Sequence, residues 1–119
     1  MNVTNQLAVL DQAIALSRVG GDEELLREMA QLFLEEYPRV LSEVRSAVGS
    51  GNAKAVERGA HNLKGSVGNF GADSAFQAAL ELEMAGRRGN LADIKGQFAR
   101  LEAALRDLHP LMQQLGDCR

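Results

Sequence analysis

Apolar residues return every three or four positions along most of this chain. That spacing marks helices that bury one face. Leu7, Leu10 and Ile14, with Ala13 beside them, predict a short first helix ending before Gly20-Gly21. Asp22 is a good N-cap for the next helix, since its carboxylate can take a free amide of the first turn; Glu23 and Glu24 suit the positive end of the helix dipole. Leu25, Met29, Leu32, Leu41, Val44 and Val48 predict the buried stripe of a long second helix, widened by Phe33, Tyr37 and Val40. Pro38 lies inside it and should bend it, because proline offers no amide hydrogen.

Gly49-Ser50-Gly51 reads as the next break, with Asn52 as cap. Ala53, Val56, Ala60, Leu63, Val67 and Phe70 form the stripe of the third helix, which Gly71 should end. Asp73 or Ser74 should cap a fourth helix running to Gly86. Gly89-Asn90 should cap the last, whose stripe is Leu91, Ile94, Phe98, Leu101, Leu105, Leu108, Met112 and Leu115, with Pro110 threatening a late kink. Four long amphipathic helices with short connections pack best as an antiparallel bundle. The expected fold is therefore all-α: an antiparallel four-helix bundle with an additional short N-terminal helix, one domain over residues 1–119.

Composition narrows the choice of function. A chain of 119 residues with 45% apolar and 24% charged side chains can bury one core and has no room for a second. Its net charge of −3 argues against nucleic acid, whose phosphates call for a basic face. The single cysteine, Cys118, rules out an internal disulfide and fits a reducing compartment. No apolar run reaches membrane-spanning length, and the N-terminus lacks the pattern of a signal peptide. A cytoplasmic monomer that neither binds nucleic acid nor itself inserts in a membrane is the expectation.

The third helix carries the candidate chemistry. At 100° per residue, His61 falls about 130° from the centre of the apolar stripe, toward solvent. Glu57 and Gly65 lie one turn before and after it, Gly68 a turn further, and Lys64 one turn away toward the core boundary. Each helix-interior glycine costs about 1 kcal/mol relative to alanine, so Gly65 and Gly68 ask for a reason. They can be drift, the crossing point of another segment of this chain, or bare backbone that lets a partner approach His61. A neutral imidazole nitrogen is a nucleophile near neutral pH, and an ammonium one turn away offsets the charge of a phosphoryl product. Taken singly, His61 is a surface histidine with a carboxylate neighbour, and Lys64 a solvated cation.

Glu83 is the other oddity. It falls near the middle of an apolar face made by Ala72, Ala75, Phe76, Ala79, Leu80 and Leu82, where a carboxylate needs a donor or a path to water. The simpler reading gives it water at the helix end or a pairing with Arg87 one turn on. The functional one has it reach across to His61, orient the ring through one nitrogen and leave the other for phosphate.

The run Ala60-His61-Asn62-Leu63-Lys64-Gly65-Ser66-Val67-Gly68-Asn69-Phe70-Gly71-Ala72 resembles the signature of histidine-containing phosphotransfer (HPt) domains. That pattern is a His, a Lys three on, a Gly directly after, and a Gly-Ala at the next connection. Leu82-Glu83, the stretch from Leu10 to Asp22 and the run from Phe33 to Pro38 extend the likeness over most of the chain, although some family members carry an amide where this chain has Glu83. The resemblance implies a multistep phosphorelay in which His61 accepts the phosphoryl group from a receiver-domain aspartate or a kinase domain and passes it to a response regulator, while Lys64 balances its charge and Gly65 permits close approach. A docking partner is expected on the surrounding face, at Glu57, Asn62, Gly68 and Asn69. The partners implied are receiver domains of response regulators or hybrid sensor kinases, which bring the Mg2+. The chain itself would hold no cofactor, metal or ATP site, and would be free in the cytoplasm or part of a larger membrane-tethered sensor kinase.

Two other readings share these features. A phosphoacceptor module of a chemotaxis-type histidine kinase carries the same motif, and a kinase and dimerisation region would then follow in the full gene. A non-catalytic helical interaction module would explain the bundle and leave the face around His61 unexplained. An enzyme in its own right has little support: the two histidines, His61 and His109, fall on different helices with no cluster of ligands beside them.

Overall fold

The computed structural model describes residues 9–117. Among these residues the chain forms α1 (Gln12–Arg18), α2 (Glu23–Ser50), α3 (Ala53–Gly68), α4 (Asp73–Arg88) and α5 (Ile94–Asp117). Leu7 and Cys118 lie outside the described residues. α3 packs against α2 and α4, α5 closes the ring against α2 and α4, and α1 rests on α2. The bundle and its short N-terminal helix are therefore as the hydrophobic spacing predicts.

The helix starts follow local chemistry. Asp11 caps α1, accepting from the Ile14 amide at 3.2 Å, so Leu10 precedes that helix instead of lying in it. Asp22 accepts from the Leu25 amide at 3.0 Å and Asn52 from the Ala55 amide at 3.1 Å, as expected of both. α2 runs on through Pro38 and through Gly49 and Ser50, to be capped by Gly51 at φ 70°. Only Gly51 of that triplet is the break: it takes the left-handed conformation in which a Cβ is disfavoured.

Three other boundaries differ from the sequence reading. α3 ends at Gly68, leaving Phe70 beyond the helix but still buried, and Gly71 sits in the following connection. Neither Asp73 nor Ser74 caps α4: the N-cap is Ala72, with no side-chain cap bond, and the helix continues past Gly86 to Arg88. Gly89 is the C-cap of α4 and does not start α5. The Asn90 side chain instead accepts from the Ala92 amide in the turn, and α5 begins at Ile94.

The core is built by Val56, Ala60, Leu63 and Val67 of α3, Ala75, Ala79 and Leu82 of α4, and Phe98, Leu101, Leu105, Leu108 and Met112 of α5. On α2 the buried positions are Leu26, Ala30, Phe33, Val40, Leu41, Val44 and Ala47. The expected stripe is thus wrong in the first half of α2: Leu25 and Leu32 are 43% and 53% exposed, and Met29 is only half-buried. A stripe one position over, Leu26-Ala30-Phe33, satisfies the same helical spacing, and packing chose it.

Candidate functional site

The site grows out of the crossing of α3 and α4. A Cβ added at Gly86 would lie 2.7 Å from the backbone nitrogen of Glu57 and 2.8 Å from the Ala53 carbonyl oxygen. Only glycine lets the two backbones come this close. α3 and α4 run antiparallel, so one turn further along α3 brings His61 opposite Glu83, one turn back along α4. At the far end of the same pair Gly68 lies against the Phe76 ring, which a Cβ would meet at 3.4 Å.

Among the described residues Glu83 is the one charged side chain that is buried, with 1% of its surface exposed. Its reach to open water, one of the readings of the sequence, is therefore excluded. A buried carboxylate must be paired, and this one is paired three ways. His61 Nδ1 lies 2.7 Å from Oε2, and Lys64 Nζ 2.7 Å from Oε1. Arg87, the partner expected one turn on, donates Nη2–H to Oε2 at 3.2 Å. The Lys64 contact is an ion pair by distance and lacks hydrogen-bond alignment. Burial pushes the Glu83 carboxyl up, but the close Lys64 ammonium and the bond from His61 outweigh it, and the group is held below the usual carboxylate range.

An ionised carboxylate can only accept. Glu83 therefore fixes the proton of neutral His61 on Nδ1, which donates, and leaves the Nε2 lone pair unprotonated. The His61 side chain is 68% exposed although its anchor is buried. The ring is thus held at one edge and open at the other. Arg87 extends the cluster by donating Nε–H to Glu57 at 3.0 Å.

The depressed Glu83 sets the sign of a pH effect. Its contribution to stability is complete above the ordinary value of 4.5 and is lost as pH falls through the lower folded value. Glu83→Gln keeps the shape and removes the charge. Denaturant unfolding of this variant should show a shallower loss of stability between neutral and acid pH than the parent. Equal slopes in the two proteins would mean that Glu83 gains nothing from its cations.

The other candidate residues surround the ring. Gly65 is exposed, and a Cβ there would meet nothing within 4 Å. Gly68 is less bare than the sequence suggests, because Phe76 covers it. Glu57 and Gly68 lie toward α4. Asn62 and Asn69 are exposed on the α2 side, in a shallow groove shared with Leu32, Tyr37 and Ser66. Sequence reasoning missed Gly86, taken as a helix end, and the link from Arg87 to Glu57. It also missed Tyr37, whose hydroxyl lies 2.6 Å from His109 Nδ1 and ties α2 to α5 away from this cluster. Among the described residues no group of three or more His, Cys, Asp or Glu side chains is placed to hold a metal ion, and no helix is long and apolar enough to cross a membrane.

The Hpt domain family model matches residues 28–110. Two solved structures share the architecture. The HPT domain from an Hpt sensor hybrid histidine kinase of Shewanella superposes with a TM-score of 0.82 at 20% identity, covering 92% of this chain and 94% of that one. Histidine-containing phosphotransfer protein B from Pseudomonas aeruginosa superposes with a TM-score of 0.81 at 26% identity, covering 88% of this chain and 91% of that one. No curated protein sequence matches the chain significantly.

Proposed function

This chain belongs to the Hpt domain family, and on that premise we propose that it relays phosphoryl groups through Nε2 of His61, taking them from the aspartate of a receiver domain and passing them to another. The observation that carries the reading is the buried carboxylate of Glu83 on Nδ1 of a ring whose other edge is exposed. Nε2 attacks phosphorus, the N–P bond forms, and the P–O bond to the aspartate breaks, releasing that side chain as a carboxylate. The ring keeps its Nδ1 proton and becomes cationic. Glu83 stabilises that cation through the bond it already makes. Return transfer reverses the same steps. The receiver would bring Mg2+; His61, Glu83 and Lys64 are what this chain contributes.

Lys64 assists by charge and forms no covalent bond. Lys64→Ala should slow transfer without ending it, by an amount equivalent to roughly 1–3 kcal/mol of barrier. Single-turnover transfer from a phosphorylated receiver at low salt measures this. An unchanged rate would reduce Lys64 to a structural partner of Glu83.

Gly65 supplies room for the partner. Gly65→Ala should raise stability by up to about 1 kcal/mol, since the site is open helix. Gly65→Gln should keep the fold and obstruct a receiver beside His61, so thermal midpoint and transfer rate should part company. A stable Gly65→Gln variant that transfers normally would place the docking surface elsewhere. Phosphate that is acid-labile and alkali-stable, acquired from a panel of receivers, separates the relay from a purely structural helical module.

A further inference from the structure

A phosphoryl group on His61 would compete with Glu83 for the Lys64 ammonium. In this structure its ammonium sits on Glu83 Oε1, with the side chain only 22% exposed. A phosphoryl group on Nε2 would add close to two negative charges within reach of it. If Lys64 turned outward with nothing to replace it, Glu83 would stay buried with one cation fewer, which is strongly unfavourable. A second cation is already in place. Arg87 lies one turn from Glu83 on α4, donates to Oε2 at 3.2 Å and, through Nε, to Glu57 at 3.0 Å. Its planar group bridges both carboxylates and is 54% exposed, so holding Glu83 through it requires no further burial of charge. With His61 neutral, Lys64 and Arg87 balance Glu57 and Glu83 charge for charge.

We propose that Arg87 is a positioning residue that keeps Glu83 paired while Lys64 turns to the phosphohistidine, so that the charge support reaching the phosphoryl group through Lys64 depends on Arg87. This rests on the reading that His61 carries the phosphoryl group. Glu57 has a part in it as well: by accepting from Nε it holds the guanidinium in the orientation that faces Glu83.

The test needs no partner protein. Phosphoramidate can phosphorylate the intact chain: its P–N bond breaks, the amine leaves as ammonia, and a bond from phosphorus to the imidazole nitrogen forms. Titration of the product by 31P NMR then reads the ionisation of the phosphoryl group, which a nearby ammonium depresses. Arg87→Ala should move that ionisation upward by about half a unit, roughly a threefold change in the constant, because Lys64 stays on Glu83. Lys64→Ala should do the same, and the double variant should do no more than either alone. Arg87→Lys, which keeps one cation for Glu83, should restore part of the shift. Additive shifts would mean that Arg87 acts on the phosphoryl group directly, and an unshifted Arg87→Ala would mean that Lys64 needs no replacement; each overturns the proposal. Failure of the unmodified chain to label, or a signal that survives His61→Gln, overturns the parent reading and this one with it.

Discussion

His61→Gln will take no phosphoryl group from a phosphorylated receiver and will unfold close to the temperature of the unaltered protein. The two halves of this result have separate causes. The imidazole is the only nucleophile at the site, and an amide nitrogen has no lone pair to offer in its place, so the loss of transfer is complete instead of graded. Stability changes little because the ring is largely in solvent and adds little to the core. Glu83 keeps Lys64 and Arg87, and the Gln amide can donate to the same carboxylate. Label retained by this variant would pass the role to another residue, His109 first. A collapsed thermal midpoint would mean that the His61–Glu83 bond is a structural strut.

Gly86→Ala will cost more stability than Gly65→Ala or Gly68→Ala, the exchanges nearest the ring on α3. An added methyl would press on the backbone of α3 at Glu57 and Ala53, which cannot rotate aside as a side chain can. Overpacking of this kind costs about 1–3 kcal/mol, which lowers the midpoint of a domain this size by roughly 4 °C per kcal/mol. Gly65→Ala is the internal control, because the same methyl there meets open space and should stabilise. Separation of α3 and α4 should also draw Glu83 away from His61, so transfer by the folded fraction of Gly86→Ala should fall. A variant as stable as its parent would show that the helices can shift apart at no cost. Transfer at the full rate would show that the reach of Glu83 tolerates the shift.

The hydrophobic spacing was enough to find the four long helices, because each buries one face continuously against its neighbours. It was not enough to place the stripe on the first half of α2. Leu25-Met29-Leu32 and Leu26-Ala30-Phe33 obey the same period, and what separates them is which side meets α3 and α5, a property of the packed bundle. The helix ends failed for a related reason. Gly71 and Gly86 read as stops and Gly89 as the start of the last helix, yet Gly86 is inside α4, where it permits the crossing with α3, and Gly89 ends that helix.

The candidate site was legible where it is local. His61, Lys64 and Gly65 sit within little more than one turn of a single helix, and a wheel places them together. Glu83 could be seen to be misplaced on its own helix, but the partner that explains it lies 22 residues away in sequence. Nothing in either helix alone says that those turns meet, so the simpler reading with Arg87 and the functional one with His61 looked like alternatives. Both pairings are present at the same time, because one carboxylate accepts from both. The likeness of Gly65 and Gly68 ended in a similar way: only the neighbouring helix shows that Phe76 covers the second and leaves the first bare.

The ring nitrogen that carries phosphorus tests the central claim most directly. Uniformly 15N-labelled protein, phosphorylated by a receiver bearing an aspartyl phosphate, can be examined by heteronuclear NMR for coupling between phosphorus and the imidazole nitrogens. Glu83 on Nδ1 predicts a single phosphohistidine, at His61, bonded through Nε2, with the proton retained on Nδ1. Phosphorus bonded to Nδ1 of His61, or to either nitrogen of His109, would contradict the account, because the first requires Glu83 to surrender the ring and the second leaves the α3–α4 cluster with no part in the chemistry.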